Sequence, residues 1–397
     1  MKVDLPTDAA ITLLRALTGP HGIRASRSAV TNYGAIFARD AIMAGIAGLL
    51  RGDATVTDGL VATLTLLRTH QGAAGQIASN IRVGTSGRPE VGAIAVDSLV
   101  VSFGTLAPRI DSATWYLVGV GLVLRAGRLD SAPFAESVRQ VVRLLDGIEY
   151  NGQHLLSVPA GGNWADEYPF DGYILYDQVL RAWGLSLLAS ELKEPAWATK
   201  ARQIDEVLTR RFWRASGDPS VTPPQLDPRF PICAFSPIRV NGHADLAGMA
   251  LLAVAGLAAT QVPAMLEAID HHWLRAGTLP PAFSPVITEG DPEWDALARY
   301  HLHGFRNRPH EYHNGGIWPI WLGWLGVALA RYQRPDALAR LRSITARRLA
   351  SLSTFDFEEY FHGESGLPLG TPGMAYTATG LLLLANAESM ANALVTP

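Results

Sequence analysis

Hydrophobic residues recur at helical spacing along almost the whole chain. Within 134–148, Val138, Val141, Val142 and Leu145 repeat at intervals of one to four residues, with charged residues between them. This period predicts a helix with one buried face. The same pattern predicts about twelve helices, at 9–17, 42–51, 57–69, 112–126, 134–148, 172–190, 195–214, 244–257, 262–275, 316–332, 335–350 and 374–391. Only short runs such as Leu99–Phe103 have the character of a strand.

The connections between these helices alternate between short and long. Short links such as 127–133 and 191–195 contrast with long segments rich in Gly, Pro, Asn and aromatic residues, at 73–95, 103–112, 157–172, 217–242, 277–315 and 353–373. A closed ring of helical hairpins gives this pattern, with the long loops gathered at one end to form a site. Because no strict repeat, flexible linker or change of composition is visible, we predict an all-α ring in a single domain spanning 1–397.

Composition narrows the classes of partner. The chain has 397 residues, of which 48% are hydrophobic and 17% charged, which is ample for a large core. With a net charge of −3 and no basic block, nucleic acid is not an expected partner. The single Cys233 excludes an internal disulfide framework and a cysteine-based zinc cluster. The N-terminus lacks the pattern of a signal peptide and no apolar run is long enough to span a membrane, so we expect a cytoplasmic protein.

Two predicted loops place carboxylates among aromatic rings. One is 355–363, which contains Glu358 and Glu359, and the other is 159–173, which contains Asp166. Partial burial among rings raises the pKa of a carboxyl group towards neutrality, which suits proton transfer. Aromatic rings also stack on sugars. Two such loops on a helical chain suggest a carboxylate pair on either side of a sugar, as glycoside hydrolysis requires.

Three further segments combine polar and aromatic residues at predicted helix starts. Helix capping explains Asp40 and Asp111 without any other function. A turn of His, Asn and two Gly residues precedes the helix that begins near 316. The candidate binding residues in these segments are Tyr33, Phe37, Arg39, Asp40, Asp111, His313, Asn314 and Trp318.

Cofactor motifs are not evident. Histidines are frequent in 301–313, but their spacing matches no helical pair of ligands, so a metal site is not predicted. The glycines at 119 and 121 lie inside a predicted helix rather than in a dinucleotide loop. A nucleophile elbow of the Gly-x-Ser-x-Gly type is missing as well. We therefore expect no cofactor.

Taken in order, these segments resemble the alkaline/neutral invertases and their trehalase-like relatives among the (α/α)6-barrel glycoside hydrolases. The Phe-x-Arg-Asp segment of invertases matches Phe37–Asp40. Their Val-Asp-Ser segment followed by Trp-Trp is similar to 111–116. The most specific match is Tyr-His-Asn-Gly-Gly-x-Trp-Pro at Tyr312–Pro319, and Glu359–Gly363 is similar to their Glu-Tyr-Tyr-Asp-Gly. The order of the segments agrees over about residues 30–390.

The resemblance implies an (α/α)6 toroid of six helical hairpins and an inverting hydrolase of a small α-glucoside or disaccharide. Pro159, Gly161 and Asp166 follow the invertase segment that carries the proposed general acid. The resemblance thus implies Asp166 as general acid and Glu359 as general base. With these roles, we expect sugar hydroxyls to be bound by Arg39, Asp40, Asp111, His313 and Asn314. Stacking rings or pocket walls would be supplied by Trp164, Tyr168 and Trp318, with Tyr33 or Phe37 as a stacking ring at the pocket mouth.

The chain also departs from the invertases at the rim of the expected site. Residues 167–170 are Glu-Tyr-Pro-Phe where invertases have Arg-Arg-Met-Gly, and 370–373 replace a basic Gly-Lys-x-x-Arg segment. These changes favour the same reaction class with a different sugar partner. Three alternatives stay open: Glu358 as the base, a sugar epimerase that uses His313 and His362, and a sugar-binding barrel without activity. The oligomeric state is also open.

Overall fold

The computed structural model describes residues 5–28, 32–83, 93–96, 99–104, 108–149, 152–299 and 304–395. Fourteen α-helices lie in these ranges: α1 (Thr7–Leu17), α2 (Ala38–Arg51), α3 (Ala54–Thr69), α4 (Ile110–Arg125), α5 (Ala132–Gly147), α6 (Leu175–Glu191), α7 (Pro195–Arg211), α8 (Leu246–Ala255), α9 (Val262–Ile269), α10 (Trp294–Ala298), α11 (Pro319–Arg331), α12 (Pro335–Ala350), α13 (Ala375–Ala385) and α14 (Ala387–Val395).

Short strands occupy the connections between the helices. In the described residues they are β1 (Thr18–Gly19), β2 (Gly22–Ile23), β3 (Ile36–Phe37), β4 (Asn80–Val83), β5 (Ala93–Val96), β6 (Leu99–Ser102), β7 (Tyr173–Ile174), β8 (Ala234–Ser236), β9 (Arg239–Asn241), β10 (Ala244–Asp245), β11 (Phe283–Ser284), β12 (Tyr360–Phe361) and β13 (Pro368–Leu369). They pair antiparallel in the orders β1-β2, β3-β4-β6-β5, β7-β8-β9, β10-β11 and β12-β13.

Six inner helices close into a ring. Helix α2 contacts α4, α4 contacts α6, and the series continues through α8, α11 and α13 back to α2. Each inner helix has an outer partner: α3, α5, α7, α9 and α12 pair with the first five, and the N-terminal α1 packs on α13. The chain is therefore an (α/α)6 barrel, as predicted, and its sixth hairpin joins the two ends of the sequence.

The inner and outer helices differ in where their apolar residues lie. In the outer helix α5, Phe134, Val138, Val141 and Leu145 are buried, while Arg143 pairs with an acid on the exposed face. The inner helices α4 and α8 are buried on all sides except at their last residues. A helix that is apolar all round belongs in an interior, and a helix with one apolar stripe covers it.

The N-termini of the inner helices meet at one end of the ring. Four of these helices carry a buried aspartate at the N-cap or in the first turn: Asp40, Asp111, Asp177 and Asp245. A carboxylate is favoured there because the helix dipole leaves partial positive charge at the N-terminus. The long loops reach the same end, which makes it the polar end of a largely apolar barrel.

The structure differs from the sequence prediction near the C-terminus. The predicted helix 374–391 is two helices, α13 and α14, which meet at Asn386 with an angle of 87° between them. Asn386 ends α13, and its amide side chain donates to the Leu382 carbonyl at 2.8 Å. The predicted helix 262–275 ends at Ile269 and continues as a π-helical turn, Asp270–Leu274. The predicted strand near Leu99 is confirmed as β6.

Within the described residues, no single helix has the length and apolarity needed to cross a membrane. The bent pair α13 and α14 passes that test jointly, on length and composition alone.

Candidate active site

A cavity of about 410 Å³ opens at the N-terminal end of the inner helices. Most of its lining is polar or aromatic: Tyr33, Phe37, Arg39, Asp40, Ser79, Asn80, Ser102, Gly104, Arg109, Trp164, Asp166, Arg306, Tyr312, His313, Trp318, Glu359, Thr371, Met374 and Tyr376. Nine of the twelve residues singled out in the sequence are in this lining, and they include both Asp166 and Glu359.

Glu359 is buried in the cavity wall, immediately before β12. Its Oε1 accepts a hydrogen bond from the Tyr33 hydroxyl at 2.9 Å, and its Oε2 accepts one from the Thr371 amide at 3.3 Å. Burial raises the pKa of Glu359, and the charge of Arg306 and the Tyr33 hydroxyl offset part of that rise. Its neighbour Glu358 does not line the cavity, and its Oε2 accepts from the Asp356 amide at 3.0 Å.

The backbone around Glu359 has an unusual conformation. Gly370 has φ +82°, and a Cβ atom there would lie 2.6 Å from both Cβ and Oε2 of Glu359, so only glycine leaves room for that carboxylate. Phe357 and Tyr312 also have positive φ, at 54° and 47°. Non-glycine residues in this region are strained and concentrate at functional sites. An antiparallel bridge between Ile317 and Phe361 joins this segment to the turn before α11.

Asp166 lies in the loop that leads into α6. Its Oδ2 accepts a hydrogen bond from Arg109 Nη2 at 2.8 Å, and Arg109 Nη1 donates to the Gly161 carbonyl. The Asp166 side chain is 27% exposed, so it is more accessible than Glu359. The Ile110 amide donates to the Gly162 carbonyl at 2.7 Å, which anchors this loop to the start of α4.

A second arginine holds the other side of the same loop. Arg306 forms an ion pair with the buried Glu167, and its Nε donates to Glu167 Oε2 at 3.2 Å. Asn307 Nδ2 donates to the Glu167 carbonyl at 2.8 Å. The Arg306 guanidinium lies 4.2 Å from the centre of the Tyr312 ring. The segment that begins at 304 therefore holds Glu167, the residue that directly follows Asp166, in place.

Aromatic rings form the deep wall of the cavity. Trp164 meets His313 edge-on, with ring centres 5.0 Å apart, and Trp318 stacks on Tyr360 at 5.5 Å. Trp318 Nε1 donates to the Tyr312 carbonyl at 2.9 Å, which fixes its orientation. Burial, together with the positive charges of nearby arginines, lowers the pKa of His313 well below its ordinary value, so this imidazole is neutral.

Five lining residues have buried polar atoms that lack a hydrogen-bond partner among the described residues. They are Arg39 Nε, Asp40 Oδ2, Trp164 Nε1, His313 Nδ1 and Tyr376 Oη, and the first two form an ion pair at 3.7 Å. The set contains donors, an acceptor, and groups such as the imidazole nitrogen that take either role. Buried polar atoms are almost always paired in folded proteins, so this set indicates a ligand with several groups that both donate and accept.

Three residues predicted to bind sugar lie outside the cavity lining. Asp111 is fully buried behind Arg39 and accepts from its Nη1 at 2.7 Å, so it orients an arginine rather than a ligand. Asn314 forms hydrogen bonds to the backbone through its side-chain amide. Its Oδ1 accepts from the Ile287 amide and its Nδ2 donates to the Ile287 carbonyl, both at 2.8 Å, and Nδ2 also donates to the Asn307 carbonyl. These bonds fix the conformation of the turn. Tyr168 faces a second cavity and stacks on Phe283.

The two-histidine arrangement expected of an epimerase is not found. His313 lines the cavity, whereas His362 does not. The His362 ring lies 5.9 Å from that of His310, and its Nδ1 accepts from the amides of Glu364 and Ser365. Among the described residues, no group of three or more His, Cys, Asp or Glu is placed to hold a metal ion. The histidines at 301 and 303 lie outside the described residues.

Sequence reasoning missed several residues that shape the cavity. Arg109 and Arg306 are the most important, because each pairs with an acid of the 159–173 loop. Their signal in the sequence is weak, since an arginine in a loop usually extends into solvent. Thr371 was also missed, although it lies in the glycine-rich turn that replaces the basic segment of invertases.

Comparison with known proteins agrees with this architecture. The family model of alkaline and neutral invertase matches residues 247–391. No curated protein matches the chain. The mannosylglycerate hydrolase from Thermus thermophilus, solved in complex with glucose, is 14% identical, with 95% of this chain and 99% of that chain covered and a TM-score of 0.64.

Two other solved structures have the same fold. A rhamnosidase from Klebsiella oxytoca with bound rhamnose is 13% identical and covers 94% of this chain and 61% of its own, with a TM-score of 0.59. A bacterial glucoamylase in complex with acarbose is 12% identical. The match covers 98% of this chain and 57% of the glucoamylase chain, with a TM-score of 0.63. The invertase match over residues 247–391 supports a glycoside hydrolase, and the solved structures share the barrel fold.

Proposed function

We propose that the protein hydrolyses a small α-glucoside with inversion at the anomeric carbon. The observation that carries this proposal is the cavity itself. Two carboxylates, Asp166 and Glu359, line it together with five buried polar atoms that lack a hydrogen-bond partner among the described residues. Sugar hydroxyl groups both donate and accept, and they complement such a set. Solved structures with this fold hold glucose, rhamnose and acarbose.

In the proposed reaction, Asp166 is the general acid and Glu359 is the general base. Asp166 gives its proton to the glycosidic oxygen, and the bond from that oxygen to C1 breaks. A water molecule attacks C1 from the opposite face and loses a proton to Glu359. Both groups then exchange protons with solvent. Inversion requires the two carboxyl groups to be roughly 6.5–9.5 Å apart, which leaves space for the water.

The surroundings of Glu359 suit the role of a base. Burial raises its pKa, which makes the carboxylate a stronger proton acceptor. The hydroxyl of Tyr33 and the amide of Thr371 both donate to it, and these bonds stabilise its ionised form. A base has to be ionised before the reaction and strong enough to take a proton during it, and this combination serves both needs.

The surroundings of Asp166 impose a condition on the role of an acid. Arg109 donates to Asp166 Oδ2, and an arginine beside a carboxylate stabilises the charged form. The proposal therefore requires that bound substrate separates Asp166 from Arg109, so that the protonated carboxyl meets the glycosidic oxygen. The Asp166 side chain is half-buried, with 27% of its surface exposed, which leaves space for this movement.

The experiment is a screen of α-glucosides and disaccharides, with product anomers followed by NMR. We expect the β-anomer to form first from an α-glucoside. Asp166→Asn and Glu359→Gln should each reduce kcat by roughly 10²–10⁴-fold while thermal unfolding stays close to that of the wild type. Glu358→Gln is the matched control, because Glu358 bonds to the Asp356 amide outside the cavity, and it should retain most activity.

Two results would contradict this proposal. Substantial turnover by Asp166→Asn or Glu359→Gln would remove the assigned roles. Binding of glucosides by the wild type without any hydrolysis would instead support a sugar-binding barrel without activity.

A further inference from the structure

A second cavity lies on the other side of Asp166. Its volume is about 390 Å³, and Asp166, Gly161 and Glu167 are in its lining, so the candidate acid belongs to both cavities. One wall is the turn that joins β8 to β9, and Ile238 lies in this turn. A proton donor that separates two cavities has the sugar on one side and the leaving group on the other.

The exposed surface of this second cavity is mostly aliphatic. Ile238 is 91% exposed, more than any other large apolar side chain that the described ranges expose. Ala160 and Ala296 are also exposed, and Pro169 is half-buried. A solvated isoleucine beside a site is unfavourable in the free protein and gains free energy when an apolar group covers it.

The polar groups of this wall are mostly engaged with the protein. Glu167 is held by Arg306, and the Arg239 guanidinium donates to the Pro169 carbonyl. Asp171 is the exposed acid at the edge. The Tyr168 hydroxyl is the buried polar group of this wall that lacks a hydrogen-bond partner among the described residues, whereas the first cavity has five such groups.

The aromatic rings of this wall do not offer a platform for a second sugar. Tyr168 stacks on Phe283, with ring centres 4.4 Å apart, and Phe170 meets Tyr168 edge-on at 4.6 Å. Both rings are at most 4% exposed. Stacking on a pyranose needs an accessible ring face, and these rings pack against each other.

We propose that this cavity receives the leaving group of the substrate, and that the leaving group is an apolar alcohol rather than a second sugar. The inference rests on the proposed function, because it takes Asp166 as the acid between the two cavities. Hydrolysis then converts an alkyl or aryl α-glucoside and water into glucose and the free alcohol, and the proton on the alcohol oxygen comes from Asp166.

The first test compares methyl, butyl and hexyl α-D-glucosides. Their leaving alcohols have nearly the same acidity, so differences in kcat/KM report contacts with the chain. For the wild type we expect kcat/KM to rise roughly tenfold from methyl to hexyl, which corresponds to partial burial of the added methylenes. Ile238→Ser should remove most of that rise and leave the methyl glucoside unchanged. Val395→Ser, which replaces an exposed valine at the end of α14, is the matched control and should behave as the wild type.

The second test needs no turnover. 1-Hexanol is titrated into the wild type and both variants, and binding is followed by saturation-transfer NMR. We expect binding to the wild type and to Val395→Ser, and binding at least about fivefold weaker to Ile238→Ser.

The outcomes separate this inference from the proposed function. Three results would overturn the apolar site while hydrolysis itself stands. They are equal kcat/KM for the three glucosides, a disaccharide cleaved faster than the hexyl glucoside, and an Ile238→Ser variant with the same kcat/KM values as the wild type. If the wild type cleaves no α-glucoside, the proposed function fails and the hexanol titration decides: binding that Ile238→Ser weakens supports the site, and no binding overturns it.

Discussion

At the scale of single residues, the Tyr33 hydroxyl links the cavity wall to the proposed base. It donates to Glu359 Oε1 at 2.9 Å and so stabilises the ionised carboxylate. Tyr33→Phe removes this donor, and the pKa of Glu359, already raised by burial, then rises further. Because the base must be ionised, activity is lost as pH falls through that pKa. We expect the acidic limb of the kcat/KM profile to move up by roughly half a unit to one unit.

The pH profile of Tyr376→Phe is the control for this prediction. Tyr376 also lines the cavity, but the charges that act on it are those of Arg39, Asp40 and Asp111 rather than that of Glu359. Its replacement should leave the acidic limb in place even if KM changes. An acidic limb that stays fixed in Tyr33→Phe would show that Glu359 does not control it.

Residue types and spacing located the cavity better than they predicted individual contacts. The motif that contains His313 and Asn314 was singled out as a unit, and the structure divides it: His313 lines the cavity, while Asn314 bonds to the backbone of Ile287 and Asn307. A short polar side chain in a tight turn serves backbone and ligand equally well, and its direction depends on the fold. Arg306 was missed for the same reason, since only the folded chain brings it to Glu167.

At the scale of helices, two glycines set the approach of α11 and α13. A Cβ atom on Gly380 would lie far inside contact distance of the Pro319 carbonyl, and one on Gly323 would lie 2.7 Å from the Cα atom of Gly380. Both obstacles are backbone atoms, which do not move aside as a flexible side chain does. We expect Gly380→Ala to reduce the free energy of unfolding by about 3 kcal/mol, measured by chemical denaturation.

Gly147→Ala is the control for the helix substitution. Gly147 ends α5, and a Cβ atom there would meet nothing within 4 Å. Alanine at this position should leave the stability within about 1 kcal/mol of the wild type. Equal free energies of unfolding for Gly380→Ala and Gly147→Ala would mean that α11 and α13 can move apart without loss of stability.

The helices were predictable because their apolar period is long. Apart from β6, the strands in the described residues were not predicted, because each has only two to four residues. The break between α13 and α14 has a similar cause. Apolar residues continue across Asn386 in the sequence, so nothing in the period marks the 87° turn. The closure of the ring by α1 on α13 is a contact between distant parts of the chain, which periodicity does not report.

At the scale of the whole molecule, the ring gathers buried acids at one end. Burial raises the pKa of Asp40 to about 6 and that of Asp245 to about 7. In the unfolded chain an aspartate titrates near 3.9. Between that value and about 7, the folded protein binds a proton at Asp245 that the unfolded chain has released. Stability contributed by this site is therefore highest at acidic pH and falls as pH rises through this window.

Replacing Asp245 with asparagine tests this effect on the stability of the whole barrel. The asparagine side chain would stay neutral at every pH, so the decrease in stability that Asp245 causes as pH rises should disappear. The free energy of unfolding of Asp245→Asn minus that of the wild type should increase between pH 4 and pH 8, by on the order of 4 kcal/mol in total. Any fixed cost of the new amide shifts the whole curve without changing its slope. Asp218→Asn is the control, because hydrogen bonds from Ser220 lower the pKa of Asp218 rather than raise it, so its replacement should not produce this increase. Parallel stability curves for Asp245→Asn and the wild type would show that the pKa of Asp245 in the folded barrel is close to that in the unfolded chain, so that burial does not raise it.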